Sequence, residues 1–170
     1  METKIKLGIS SCLLGEKVRY DGGHRWDRFI TETMGKYIEF VPVCPEVGCG
    51  LCIPREPLRL VGNPDTPRLM TEKTKKDYTQ RMKLWAHKRV AELKKEKICG
   101  FIFKSNSPCC GIQQVKVYNR HDVPVEQGVG IFAKIVMEHL SLIPVEDNDM
   151  LHVQEILDNF IKRVFSLRDE

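Results

Sequence analysis

The sequence predicts an α/β protein built on one mainly parallel sheet flanked by helices. Short apolar runs at "KIKLGIS", "IEFVPV", "ICGFIFK" and "LIPVE" read as buried strands. Longer segments with helical spacing of apolar residues separate them. Strands that alternate with helices imply parallel pairing, with both faces of the sheet covered. A length of 170 residues suits one compact domain, and we read residues 1–170 as such.

The elements follow in order. "KIKLGIS" is the first strand and leads into a glycine-containing loop. In "WDRFITETMGKY", Trp26, Phe29, Ile30 and Met34 recur at helical spacing. "IEFVPV" is the second strand, made irregular by Pro42. Gly and Pro run throughout Cys44 to Pro67, which reads as a long loop, and a loop of that length is usually functional or disordered. Residues 74–96 carry the longest helical signal, with Tyr78, Met82, Trp85, Val90 and Leu93 on one side. "ICGFIFK" is the third strand and "QVKVYN" a short extra one. "GIFAKIVMEHL" is a helix preceded by Gly128 and Gly130, and "LIPVE" is the fourth strand. Residues 148–166 form a closing amphipathic helix through Leu151, Ile156, Phe160, Ile161 and Val164. Glu146, Asp147 and Asp149 lead into it, where acidic residues suit the positive end of the helix dipole. The layout is Rossmann-like.

Composition is that of an ordinary globular protein, with 42% hydrophobic and 29% charged residues. No apolar run approaches the ~20 residues of a membrane helix, and the N-terminus lacks a signal-peptide layout. A cytoplasmic location is expected. The net charge of +4 permits an anionic ligand or RNA without requiring either. The most basic stretch, "TEKTKKDYTQRMKLWAHKRVAELKKEK", mixes both signs with apolar residues and reads as a solvated helix face.

The chemistry lies in seven cysteines: Cys12, Cys44, Cys49, Cys52, Cys99, Cys109 and Cys110. In a cytosolic chain such thiols serve metal binding or catalysis more often than disulfides. Cys99, within an apolar run, reads as an inert core residue. Cys12 follows the first strand, Cys44 the second, and Cys110 lies in the loop after the third. Ligands in open α/β sheets bind outside the carboxyl ends of the strands. Topology therefore brings these three cysteines to one edge. Three arrangements compete. Cys49, Cys52, Cys109 and Cys110 are candidates for a structural zinc site, making a non-enzymatic binding module. Cys44-x4-Cys49-x2-Cys52 has the spacing of an iron–sulfur electron carrier. Third, a catalytic iron–sulfur cluster held by three thiolates from three loops leaves one iron open for Lewis-acid chemistry. Glu46 and Ser107 are the proton-handling groups within reach of such a site.

Three motifs, "SSCLLGEKVRYDGG", "VPVCPEVGCGLCIPREPLRLV" and "GFIFKSNSPCCGIQQVKVY", resemble the signatures of the thiouracil desulfurase (TudS) family. The resemblance runs from about Lys6 to about Val145. "RLVG", "RLM" and "GIQQVKVY" are most similar to the branch linked to thiolated RNA bases. The resemblance implies a 4Fe-4S cluster on Cys12, Cys44 and Cys110, with one open iron. It also implies a catalytic carboxylate at Glu46 and a catalytic or positioning hydroxyl at Ser107. The implied reaction is non-redox removal of sulfur from thiolated uracil or thiouridine, giving uracil or uridine and sulfide. The implied partner is a small thiobase or thionucleoside, or a thiolated tRNA. No membrane and no obligate protein partner are expected. The chain departs from the family pattern at Cys109, where Ser is common, and in the extra thiols Cys49 and Cys52.

Further candidates carry two readings each. Tyr20 and Asp21 either form a turn or line the substrate pocket, where an aromatic ring stacks on a base. Arg55 either braces the long loop or faces the pocket. Lys104 either snorkels at a strand end or holds a phosphate or a thiolate near the cysteines. All four are carried forward as substrate-binding candidates. The five histidines show no metal spacing and read as surface or satisfied core residues.

Overall fold

The computed structural model describes residues 3–168. Its main sheet has four strands, β1 (Ile5–Ser10), β2 (Ile38–Val43), β5 (Phe101–Phe103) and β8 (Val145–Asp147), in the order β2-β1-β5-β8. All neighbours are parallel, with Ile5 opposite Ile38, Gly8 opposite Phe101 and Phe101 opposite Val145. Ser10, Val43, Phe103 and Asp147 therefore end at the same edge.

Both faces are covered, as the apolar strands require. On one face Ile5, Leu7, Ile9 and Ile102 pack against α1 (Arg28–Met34) and α5 (Gln154–Arg168), through Ile30, Met34, Leu157 and Phe160. On the other, Phe101 and Phe103 stack at 4.2 Å and meet Phe132 of α4 (Ile131–His139) edge-on. There α4 lies beside α3 (Thr79–Lys95), which buries Met82, Ala86, Val90 and Leu93. The lysines of α3 point to solvent, as the mixed charge pattern implies. Among the described residues no helix is long and apolar enough to cross a membrane.

Several elements differ from the sequence expectation. The segment expected to be one long loop contains a single helical turn, α2 (Pro45–Gly48), and a strand, β3 (Leu58–Val61). With β4 (Arg68–Thr71), β6 (Val115–Tyr118) and β7 (Pro124–Gly128), β3 builds a second sheet in the order β4-β3-β6-β7. Only the β3–β6 pair is parallel. These strands bury one face alone, through Leu58, Leu60, Leu69, Val115 and Val117. Arg59 and Lys116 interrupt the apolar residues of β3 and β6, and each strand is only four or five residues long, so none shows a long apolar run. Helix α3 starts at Thr79 rather than residue 74, because Asp77 Oδ1 accepts from Thr79 N at 2.9 Å and ends the preceding turn. In α1, Ile30 and Met34 are buried and Phe29 is exposed, while Trp26 lies before the helix, whose N-cap is Asp27, and is exposed too. The closing helix begins at Gln154. Before it, Met150–His152 make a 3-10 turn in which Asp147 Oδ1 accepts from Met150 N at 2.8 Å.

Candidate active site

A cavity of about 420 Å³ opens at the carboxyl ends of β1, β2 and β5. That volume suits a small ligand. Three turns supply its cysteines, and each turn has a local reason. Cys12 sits in a 3-10 turn, Ser11–Leu14, ended by Gly15 at φ +88°, a conformation that glycine adopts without strain. The Cys12 carbonyl accepts from Gly15 N and Arg25 N, so the turn is tied to the loop that follows. Cys44 is the extended residue before α2, with Pro45 opening the helix and Glu46 in its first turn. Cys110 closes the turn 107–110, where Ser107 Oγ accepts from Cys109 N at 3.2 Å and Cys110 N at 3.0 Å.

That last turn is seated on the start of α4. Ile131 N donates to Pro108 O, Ala133 N to Cys109 O, and Gly130 N to Gly111 O. The first backbone donors of α4, which have no partner inside the helix, are thus satisfied by the cysteine turn. Contact is so close that a Cβ on Gly130 would stand 2.5 Å from the Cys109 carbonyl carbon and oxygen. Gly130→Ala is expected to cost about 2–3 kcal/mol through overpacking against backbone that cannot yield. A thermal melt measures it, and an unchanged midpoint would show that the turn is free to move.

Cys12, Cys44 and Cys110 all line the cavity. Burial pushes each thiol up from its ordinary value. After burial, the charges of neighbours act: Lys104 and Arg19 lower Cys12 while Cys44 raises it, and Cys12 and Cys44 both raise Cys110. The three thiols are therefore within electrostatic reach of one another. Ser10, itself buried, accepts from Lys104 N at 3.0 Å through its Oγ and hydrogen-bonds the Cys110 thiol. Lys104 Nζ reaches Ser105 O at 2.8 Å, and Ser105 Oγ donates to Asp149 at 2.5 Å. Burial lowers the Lys104 pKa, partly offset by the Asp149 charge.

These shifts have a sign. An unfolded thiol ionises near 9.0, and the folded Cys12, Cys44, Cys49, Cys109 and Cys110 ionise above that. The stability they contribute is complete below that pH and is lost as pH rises past it. Metal-free protein is expected to show a urea midpoint that falls from about pH 9 upward, as the unfolding free energy drops by at most about 1.4 kcal/mol per pH unit per thiol. A midpoint that climbs over this range would contradict the burial of these groups.

Glu46 lines the same cavity and is held from both sides. Arg55 Nε donates to Oε2 at 2.7 Å, and Cys109 Sγ lies 3.8 Å from Oε1. The Arg55 side chain is 6% exposed and also donates to Val18 O and Cys52 O. Arg55 thus faces the cavity and also braces the loops around it. Ser107, Lys104 and Tyr20 line the cavity as well. Asp21 does not. It is fully exposed, and its Oδ1 accepts from Gly23 N at 2.9 Å, so it is the turn residue of its loop and not a pocket residue.

The extra thiols do not build the zinc set expected as one alternative. Cys52 is exposed, with its thiol on Pro54 O at 3.3 Å, and the Cys49 thiol is on Glu46 O at 3.3 Å. Among the described residues no three or more His, Cys, Asp or Glu gather as a single-ion site. The electron-carrier spacing fares no better, because Cys52 is exposed and takes no part in the cavity wall that Cys44 helps to form. His152 is satisfied by Asp27 at 2.7 Å, and His87 and His139 meet ring to ring at 5.1 Å.

The family model for 2-thiouracil desulfurase matches residues 7–148. The chain belongs to the 2-thiouracil desulfurase family. A relative, the uncharacterized protein YbbK of Bacillus subtilis strain 168, is 32% identical in an alignment 109 positions long that covers 61% of this chain and 71% of YbbK. A solved structure of the 4Fe-4S-dependent thiouracil desulfidase TudS matches with a TM-score of 0.70 and 27% identity, over 92% of this chain and 99% of that one. The desulfurase match spans all three cysteine turns, so it rests on the part of the chain that builds the cavity. The cavity is also lined by Ser10, Arg19, Arg25 and Asn106, which were not among the sequence candidates. Arg19 Nε is buried without a hydrogen-bond partner. The sequence signal was present but thin. Ser10 sits two residues before Cys12, and Arg19 and Arg25 bracket the Gly22–Gly23 turn.

Proposed function

We propose that the protein is a desulfidase that converts a thiolated uracil, as free base or thiouridine derivative, to the oxygen base and sulfide. The reading extends to thiolated tRNA as a substrate and to the cytoplasm as the compartment that keeps these thiols reduced. The observation that carries it is the convergence of Cys12, Cys44 and Cys110, from three separate loops, on one cavity with Glu46. The resolved relative TudS is 4Fe-4S-dependent, and the donor set fits such a group here. A cluster takes one thiolate per iron, so thiols spread around a cavity wall suit it better than they suit a single ion. We assign Cys12, Cys44 and Cys110 as its ligands.

When bound, the cluster would supply a soft Lewis acid for the thiocarbonyl sulfur. The chain's own residues do the rest. Tyr20, at the cavity rim, offers a ring face for the base. Arg19, Arg25 and Lys104 make the wall beside Cys12 cationic and suit an anionic substituent on the substrate. Glu46 is oriented by Arg55 and takes a proton from the water that adds to the ring carbon. Ser107 Oγ already accepts two backbone N–H groups, so its own proton is left to donate to the substrate. The atoms balance without a redox change: a thiocarbonyl and one water become a carbonyl and one hydrogen sulfide.

Anaerobic reconstitution with iron and sulfide, metal analysis, and an ultraviolet assay with thiouracil and thiouridine test this reading. About four irons per chain with loss of the thiocarbonyl band is the expected result. Bound zinc, no iron uptake and no turnover would overturn it.

A further inference from the structure

We propose that Cys109 is a positioning residue whose S–H holds one carboxylate oxygen of Glu46 while Arg55 holds the other. This rests on the role of Glu46 in the desulfidase reading. Cys109 is 1% exposed, yet its sulfur lies 3.8 Å from Glu46 Oε1, and Arg55 Nε lies 2.7 Å from Oε2. An ionised carboxylate only accepts, so the thiol is the donor. A rotating sulfur would hold nothing, and this one sits on fixed backbone. The Cys109 amide donates to Ser107 Oγ, its carbonyl accepts from Ala133 N, and Gly130 packs against it without room for a methyl group.

The neighbouring thiol serves the same residue from the other side. Cys49 Sγ donates to the Glu46 carbonyl at 3.3 Å. Two of the thiols outside the ligand set thus converge on Glu46, one on its side chain and one on its backbone. Serine keeps a donor of nearly the same shape at position 109, whereas alanine removes it. The role is therefore separable from packing.

The experiment compares Cys109→Ser, Cys109→Ala and both in a Glu46→Gln background, with iron content and melting point recorded for each. Cys109→Ala is expected to keep full iron and KM but lower kcat roughly tenfold, the low end for a hydrogen bond to a charged group. Cys109→Ser is expected to stay within about twofold of the parent, and Cys109→Ala in the Glu46→Gln background to add no further loss. Infrared spectra give a readout independent of turnover. The S–H stretch missing from Cys109→Ser identifies the Cys109 band, and that band should move to higher frequency in Glu46→Ala. Cys109→Ala with parental kcat, iron loss in Cys109→Ala, a serine variant as slow as the alanine one, or an unmoved S–H band would each overturn the assignment. Failure of the parent protein to take up iron or turn over thiouracil, with the S–H band still shifting, would instead sink the desulfidase reading.

Discussion

Replacing Cys12, Cys44 or Cys110 singly with alanine is expected to abolish iron binding and desulfidation together. Each thiol comes from a different turn, and the fourth thiol of the cavity wall, Cys109, is turned to Glu46. The Cys12 turn is fixed by Gly15 and by the Arg25 amide, the Cys44 turn by Pro45, and the Cys110 turn by Ser107 and the start of α4. A cluster held by two thiolates is unlike the three-thiolate arrangement proposed. Iron is therefore expected to fall from about four per chain toward zero, with no measurable loss of the thiocarbonyl band. Cys52→Ser serves as the control and is expected to keep both, since that thiol is exposed and turned to Pro54. Any one of the three alanine variants retaining full iron and rate would remove that residue from the ligand set.

Glu46→Gln is the second large effect. The amide has the size of the carboxylate but does not take up a proton, and loss of a general base typically lowers rate by 10²–10⁴-fold. Iron content is expected to stay at the parental level, because Glu46 lies outside the ligand set. A structural cost accompanies the change. Arg55 and Glu46 expose only 6% and 18% of their side chains, so the variant leaves a nearly buried guanidinium without its counter-charge. Breaking such a pair costs about 3–5 kcal/mol, reduced here because Arg55 keeps Val18 O and Cys52 O as acceptors. Kinetics therefore belong well below the melting point of the variant. A kcat equal to the parent's would take Glu46 out of the mechanism.

Much of this arrangement was legible before the structure, and the reason is topological. Parallel strands share one carboxyl edge, so three cysteines that each follow a strand must meet there. That argument needs only the order of the elements. Of the second sheet only β6 was legible, as the short extra strand "QVKVYN". "LRLV" and "RLMT" each carry one arginine among two or three apolar residues, and runs of four residues leave no periodicity to detect. The partners of Glu46 escaped for another reason. Arg55 and Cys109 stand 9 and 63 positions from it in the chain, and no spacing rule links them. Asp21 shows the opposite error. Its neighbour Tyr20 lines the cavity, but Asp21 Oδ1 is taken by the Gly23 amide two residues on, a local bond that "YDGG" already advertised.

The seating of the cysteine turn on α4 bears on how the site comes into being. Cys12 and Cys44 leave the ribosome early, but the third thiol is held in place only once Gly130, Ile131 and Ala133 have been made and helix α4 has formed. The central strand β5 in turn needs β8 on its far side to complete the sheet. A nascent or truncated chain ending near Tyr118 has all seven cysteines but lacks the helix that seats the Cys110 turn. On the ligand set proposed above, loading of the site is a late event, after synthesis of nearly the whole chain, and cell-free synthesis of chains released at different lengths is expected to show iron uptake appearing only beyond α4.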